Sequence, residues 1–421
     1  MILRVLLVLL LAGVCPAQTA APALFSEVDG MLQELSRMTG WKVKRKVPSE
    51  VLPKEKFAAL LEQGVKESER DKGVRATELT LKMFGLAPWS FNLARESADL
   101  IGEQAAAYYD VKKKRLFVLN GTFLNANGSG NEERLALAHE LAHALADQQY
   151  SLDKYISAAK DDDASTARQA VVEGQASWLS WAYMNLQSSG RAEVPAYLLK
   201  RLAESAGATG ADFPVLERTP LYMRESLLFP YDEGMRFQDA VYRTDGSAAF
   251  DKVFREPPRS TQQIMHPETY ARGMIPTHPL PLRLEAVLGK EAGEFKRLID
   301  GDVGEFDYSA LLRQYTGESA GREAAAGWRG GFYQLYGHKK DKYPLLVHVS
   351  EWESPAAAQR FFELYRKVLR AKWKAMEVRT ASPTEVSGTG DTGDFLLRLD
   401  GAFVHSVEGM KGSPQTRGLV R

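Results

Sequence analysis

Cysteine is nearly absent from this 421-residue chain: Cys15 is the only one. No disulfide can form within the chain and no set of thiolates can hold a metal, so any metal must be bound by histidine and carboxylates. A surplus of either charge is missing too, with 54 Lys plus Arg against 54 Asp plus Glu. That balance excludes a polybasic nucleic-acid binder. The one notable apolar run, Val5–Val14, has ten residues, too few to span a bilayer comfortably. No later run approaches the roughly 18 residues a membrane helix needs, so no integral membrane segment is expected in the mature chain. Histidine is scarce as well, seven in all, which gives any regular histidine spacing weight.

Arg4, the apolar run and Cys15-Pro16-Ala17 together read as an export signal, with small residues placed for cleavage after Ala17. Residues 1–17 are then removed, and the protein is periplasmic or secreted. The competing reading makes Cys15 a lipid-modified first residue, although Val14 is bulky where a small residue is expected.

Val28, Leu32 and Leu35 recur at helical spacing, and Trp41–Val47 mostly alternates like a strand with a charged outer face. Ala105–Asn120 reads as a hairpin turning at Val111–Lys114. A helix is expected from Asn131 as N-cap to about Asp147, and a second from about Ala164 to Gln187 behind the acidic lead-in Asp161–Asp163. The polar stretch 316–327 reads as a linker. Beyond it lie alternating segments at Phe332–Tyr336 and Leu345–Ser350, a helix begun by Ser354-Pro355, and strands at Phe395–Leu399 and Phe403–Val407. The expected class is α+β: a mainly helical domain with a small sheet over 18–315, and a ββαββ accessory domain over 328–421.

The chemistry concentrates in His139-Glu140-Leu-Ala-His143. On a helix the two histidines leave one face and can grip one zinc ion, while Glu140 lies beside that face, able to reach a zinc-bound water. Zinc lowers the pKa of such a water to about 7, and the carboxylate takes its proton as it attacks a carbonyl. A catalytic zinc needs a third protein ligand. The extended motif HExxHxxGxxH is excluded, since positions 146 and 149 hold Ala146 and Gln149. Glu173, 30 residues beyond His143, stands alone among apolar and small neighbours, where an acid is costly unless paired or metal-bound. Gly174 and Ala176 beside it suit close packing against the first helix. Asp161, Asp162 and Asp163 are rivals for the third ligand.

HELAH followed by Val-Val-Glu173-Gly-Gln-Ala resembles the gluzincin branch of the zincin metallopeptidases. The chain is more closely similar to a group of exported bacterial predicted zinc proteases with HELxHALxDQ and VEGxA segments. Matches extend to Gln104–Asp110, Asp147-Gln148, Ser260–Pro267 and Ala326-Gly-Trp328. Gln175 and Gln149 depart from the group's acid and histidine. The resemblance implies a zincin-like metallopeptidase domain over 18–315, zinc as cofactor, and a peptide or protein substrate. It also implies an edge strand that aligns the substrate backbone, for which Arg115–Asn120 is in place, and an oxyanion donor from downstream chain. His266 or Tyr270, in a Pro-punctuated stretch, is the expected donor. His278, His338, His348 and His405 have no spacing partner, and Trp178 and Trp181 read as core. The leading function is therefore peptide hydrolysis, beside a zincin-fold scaffold without turnover and hydrolysis of a non-protein amide.

The mature N-terminus is expected at Gln18. N-terminal sequencing of exported protein checks this; a lipid-modified Cys15 as first residue would refute it.

Overall fold

The computed structural model describes residues 23–119, 130–205 and 213–411. The expected signal, Cys15, and the segment 120–129 lie outside them. The chain begins with α1 (Val28–Thr39), β1 (Ser49–Leu52), α2 (Lys54–Arg70), α3 (Lys72–Phe84) and α4 (Leu93–Gln104), then the hairpin β2 (Ala107–Asp110) and β3 (Arg115–Leu119). Long helices follow: α5 (Asn131–Tyr150), α6 (Asp162–Ser189) and α7 (Leu221–Asp245). After several short helices come β4 (Phe295–Asp302), α8 (Glu305–Thr316), α9 (Glu318–Ala325), β5 (Trp328–His338) and β6 (Pro344–Trp352). The described chain closes with α10 (Pro355–Lys372), β7 (Glu377–Ala381), β8 (Glu385–Gly390), β9 (Gly393–Asp400) and β10 (Phe403–Met410). The class is α+β.

The first sheet has the order β1-β3-β2, with β1 parallel and β2 antiparallel to β3. Arg115–Leu119 is therefore the inner strand, not the edge expected from the sequence: β1 covers the side that the hairpin alone would leave open. β2 is an edge strand, as is β1. Leu119 N–H donates to Ala106 O and Lys114 N–H to Asp110 O, so residues of that parity use their backbone groups within the hairpin. Ala107 and Tyr109 consequently turn theirs outward. Trp41–Val47 is not a strand either. It has no strand partner and is pinned by α5 instead: Gln148 Oε1 accepts from Lys44 and Arg45 N–H, and Gln148 Nε2 donates to Arg45 O.

The second sheet is antiparallel throughout, in the order β4-β5-β6-β10-β9-β8-β7. It has seven strands where four were expected, and it begins at Phe295 instead of 328. The stretch expected as a linker, 316–327, is largely α9, whose Gly321, Ala324 and Ala325 are buried. The small residues that suggested a flexible connection are there for close packing: a Cβ at Gly321 would lie 2.5 Å from Arg313 N. The two regions are not separate bodies. One continuous apolar core contains Val28, Leu81 and Leu141 together with Tyr333, Phe361 and Val404. Phe84 packs edge-on against Tyr333 and His348, and Tyr315 hydroxyl donates to Gly85 O.

On the sheet face under α10 a polar group is buried with full compensation. Lys372 Nζ meets Glu408 Oε2 at 2.6 Å and also donates to Met83 O, while Tyr365 hydroxyl donates to Glu408 Oε1. His348 beside them is less fortunate. It is fully buried, and neither ring nitrogen has a hydrogen-bond partner. Burial, with the charges of Lys372 and His405, lowers its pKa from 6.5 to about 3. The unfolded chain thus binds a proton that the folded one refuses. His348 costs no such stability above about 6.5, and stability falls by about 1.4 kcal/mol per pH unit as the pH drops toward 3. His348→Leu is expected to flatten that part of the stability profile. Urea denaturation of both proteins at pH 4, 5, 6 and 7 checks this, and parallel profiles would refute it.

Candidate metal centre

Helix α5 is buried continuously from Leu141 to Gln148, as its run of Ala and Leu without Pro or Gly permits. Its N-cap is Gly130 rather than the expected Asn131, and Glu132 and Glu133 occupy the first turn. Helix α6 starts earlier than expected, because Asp161 itself is the cap and accepts from Ala164 N–H at 2.7 Å. Asp163 is not solvated but buried, accepting from Thr261 N–H and Oγ1.

Where the helices meet, His139 and His143 from α5 and Glu173 from α6 converge. The two Nε2 atoms are 3.0 Å apart, and they lie 3.2 and 3.1 Å from the same Glu173 Oε2. These three could hold a metal ion. Donors on a triangle of that size can all lie about 2 Å from one ion displaced about 1 Å from their plane, close to tetrahedral zinc. Burial works to raise the Glu173 carboxyl, but the charges of His143 and His139 and their bonds to it prevail and hold it well below the usual carboxylate range. Of the rival acids, Asp161 instead groups with His278 and Asp302, where it caps α6 and His278 pairs with Asp302 at 3.2 Å.

Glu140 stands beside the cluster without belonging to it. Tyr109 N–H, on the free edge of β2, donates to Glu140 Oε2 at 2.6 Å. Burial, opposed by the charge of His139, pushes the Glu140 carboxyl up to about 7. One turn past His143, the fully buried carboxylate of Asp147 accepts from Tyr109 hydroxyl, Lys114 Nζ, Arg45 Nη2 and Leu152 N–H. It fastens α5 to the hairpin.

A cavity of about 660 Å³ opens over these groups, lined by α5, α6, β2 and α7. His266 and Tyr270 do not line it. His266 Nε2 pairs with buried Glu305 at 2.7 Å, and Tyr270 hydroxyl donates to Glu256 O with its ring against Phe237. Their stretch is not an irregular flap but two short helices, the first capped by Ser260, so neither side chain reaches the cluster. The residue there instead is Tyr231. Its ring stacks on His139 at 5.8 Å and 26°, and its hydroxyl faces Glu173. The charges of Glu173 and Glu140 keep that phenol protonated well above its usual range. Pro230 hides this in the sequence, because it looks like a break before a helix yet lies inside α7. It has no N–H for Ser226 O, and both residues are on the cavity wall. Trp178 is core, donating to Asp239, whereas Trp181 lines the cavity, contrary to expectation. Gln175, the departure from the group pattern, donates to Phe250 O and Gln238 Oε1.

Gly174 does not face the first helix as expected. A Cβ there would lie 2.1 Å from the carbonyl carbon of Gly234, and one on Gly234 would lie 2.3 Å from Ala170 O. Helices α6 and α7 thus cross backbone to backbone, one residue from Glu173 and three from Tyr231.

A family described as a domain of unknown function, DUF8575, matches residues 296–417. The match starts within β4, as the second sheet does. Neither the curated proteins nor the solved structures contain a match to the chain.

Gly174→Ala is expected to force the crossing apart, costing about 3 kcal/mol or more. The urea midpoint measures this, and a wild-type midpoint would refute the close contact.

Proposed function

We propose that this protein is an exported zinc-dependent metallopeptidase of zincin-like architecture, with His139, His143 and Glu173 as ligands and Glu140 as general base. The observation that carries the reading is the position of Glu140: a half-buried carboxylate on the cavity wall, next to three converging donors but outside them. A site that merely holds a structural ion closes its coordination and has no use for such a group.

When bound, zinc supplies Lewis acidity that polarises the scissile carbonyl and acidifies an attacking water. The chain's own residues do the rest. Tyr109 N–H fixes Glu140 Oε2, leaving Oε1 to take the proton of the water and pass it to the leaving nitrogen. Tyr231, a neutral donor stacked on His139 with its hydroxyl toward Glu173, would donate to the carbonyl oxygen as it becomes negative. An extended peptide pairs with the outward N–H and C=O of Ala107 and the C=O of Tyr109 on β2, and so enters beside Glu140.

The test is metal analysis of the full chain together with cleavage of a diverse peptide library. One zinc per chain is expected, lost in His139→Ala and His143→Ala. Glu140→Gln is expected to keep the zinc and lower hydrolysis by about 10²- to 10⁴-fold, and Tyr231→Phe to lower kcat about 10²-fold with zinc retained. Hydrolysis at the wild-type rate in Glu140→Gln would overturn the mechanism.

A further inference from the structure

The cavity carries charge of one sign. Asp110, Glu132, Glu140, Asp153, Glu173 and Asp232 line it, and none of the described lining residues is Lys or Arg. In a chain with equal numbers of acids and bases, that is a local segregation. Most of these acids have evident work. Glu173 and Glu140 belong to the proposed centre, and Asp110 accepts from Lys112 and Lys113 N–H in the hairpin turn. Glu132 and Asp153 are exposed, in the first turns of their helices.

Asp232 is different. It follows Tyr231 on α7, is half-buried, and its carboxylate has no hydrogen bond or ion pair among the described residues. The charges around it are already matched with one another: Arg236 with Glu233 at 2.8 Å, and Glu225 with Arg313 at 3.0 Å. Burial, with Glu233 and Glu225 acting against Arg236, pushes the Asp232 carboxyl up to about 6, as expected of an acid short of a cation. Leu227, Leu228, Met235 and Trp181 give the same cavity apolar walls. An acid in a cavity with such walls suits a side chain with an aliphatic stem and a charged tip.

We propose that Asp232 is a specificity residue that receives the cationic tip of a substrate lysine or arginine, so that the site selects peptide segments carrying a basic residue near the cleaved bond. The inference rests on the hydrolase reading for cleavage, but not for recognition. A charge-assisted contact of this kind favours the basic residue over an apolar one by about 10- to 100-fold, and an acidic residue at the same place meets only repulsion.

The probes are blocked octapeptides identical except for one position, occupied by Lys, Leu or Glu and scanned along the sequence. Their binding is measured on full-length Glu140→Gln, with and without Asp232→Asn, and their kcat/KM on the wild type and on Asp232→Asn. At one scanned position the Lys peptide is expected to exceed the Leu peptide by at least about 10-fold. Asp232→Asn is expected to collapse that ratio, and Asp232→Lys to turn the preference toward Glu. Equal binding of the three peptides to Glu140→Gln at every position would overturn the inference, as would a Lys-to-Leu ratio that Asp232→Asn leaves unchanged. If the Lys peptides bind selectively but no peptide is cleaved by the wild type, recognition stands and the hydrolase reading fails. If peptides are cleaved without regard to charge, the hydrolase reading stands and Asp232 has no part in selection.

Discussion

The backbone contact between Gly174 and Gly234 is the constraint on which the site depends. Two helices can approach this closely only where neither carries a side chain, and each glycine lies beside a functional position. Glu173 is oriented toward α5 because Gly174 is pressed onto α7, and Tyr231 lies one turn before Gly234, which brings its ring over His139. Glu173 from α6 and the phenol from α7 thus owe their common location to a single place where there is no room for a methyl group. Gln175 and Trp178 secure the same arrangement with hydrogen bonds to Phe250 O and Asp239.

The other side of the centre is held by charge instead of shape. Asp147 is buried without becoming a liability because four donors from three directions satisfy it: the segment after α1, the hairpin, and the start of the helix that follows α5. Tyr109 ties the two systems together, its hydroxyl on Asp147 and its N–H on Glu140. A buried carboxylate with that many partners restrains position strongly, since removing any one donor leaves polar atoms unsatisfied in a dry environment.

The sequence made some of this legible and concealed the rest for identifiable reasons. HELAH and the lone Glu173 could be read because their spacing is local and an unpaired acid among alanines and valines is conspicuous. Tyr231 could not, because its approach to His139 is created by a helix crossing far away along the chain, and Pro230 disguises the helix that carries it. His266 and Tyr270 lie in a stretch whose prolines suggest irregular chain, whereas Pro267 begins a short helix. Strands β5, β6, β9 and β10 were legible because they form the buried centre of the sheet and carry its apolar residues. By contrast, β7 is exposed at every position, β8 contains glycine at 388 and 390, and β4 is interrupted by a bulge between Arg297 and Ile299. Strands of that kind leave no hydrophobic pattern to find.

The ammonium of Lys372 connects Glu408 in the second sheet with Met83 O at the end of α3, beside the main core that both regions share. Thermodynamic linkage between distant parts of the molecule follows. An ion that binds only the folded His139, His143 and Glu173 arrangement stabilises every element that must fold with it, the remote sheet included. The reverse is equally required: weakening the packing beneath α10 lowers the population able to take up metal, although no residue there comes near it. Occupancy of the proposed metal centre would therefore be a property of the whole cooperative unit.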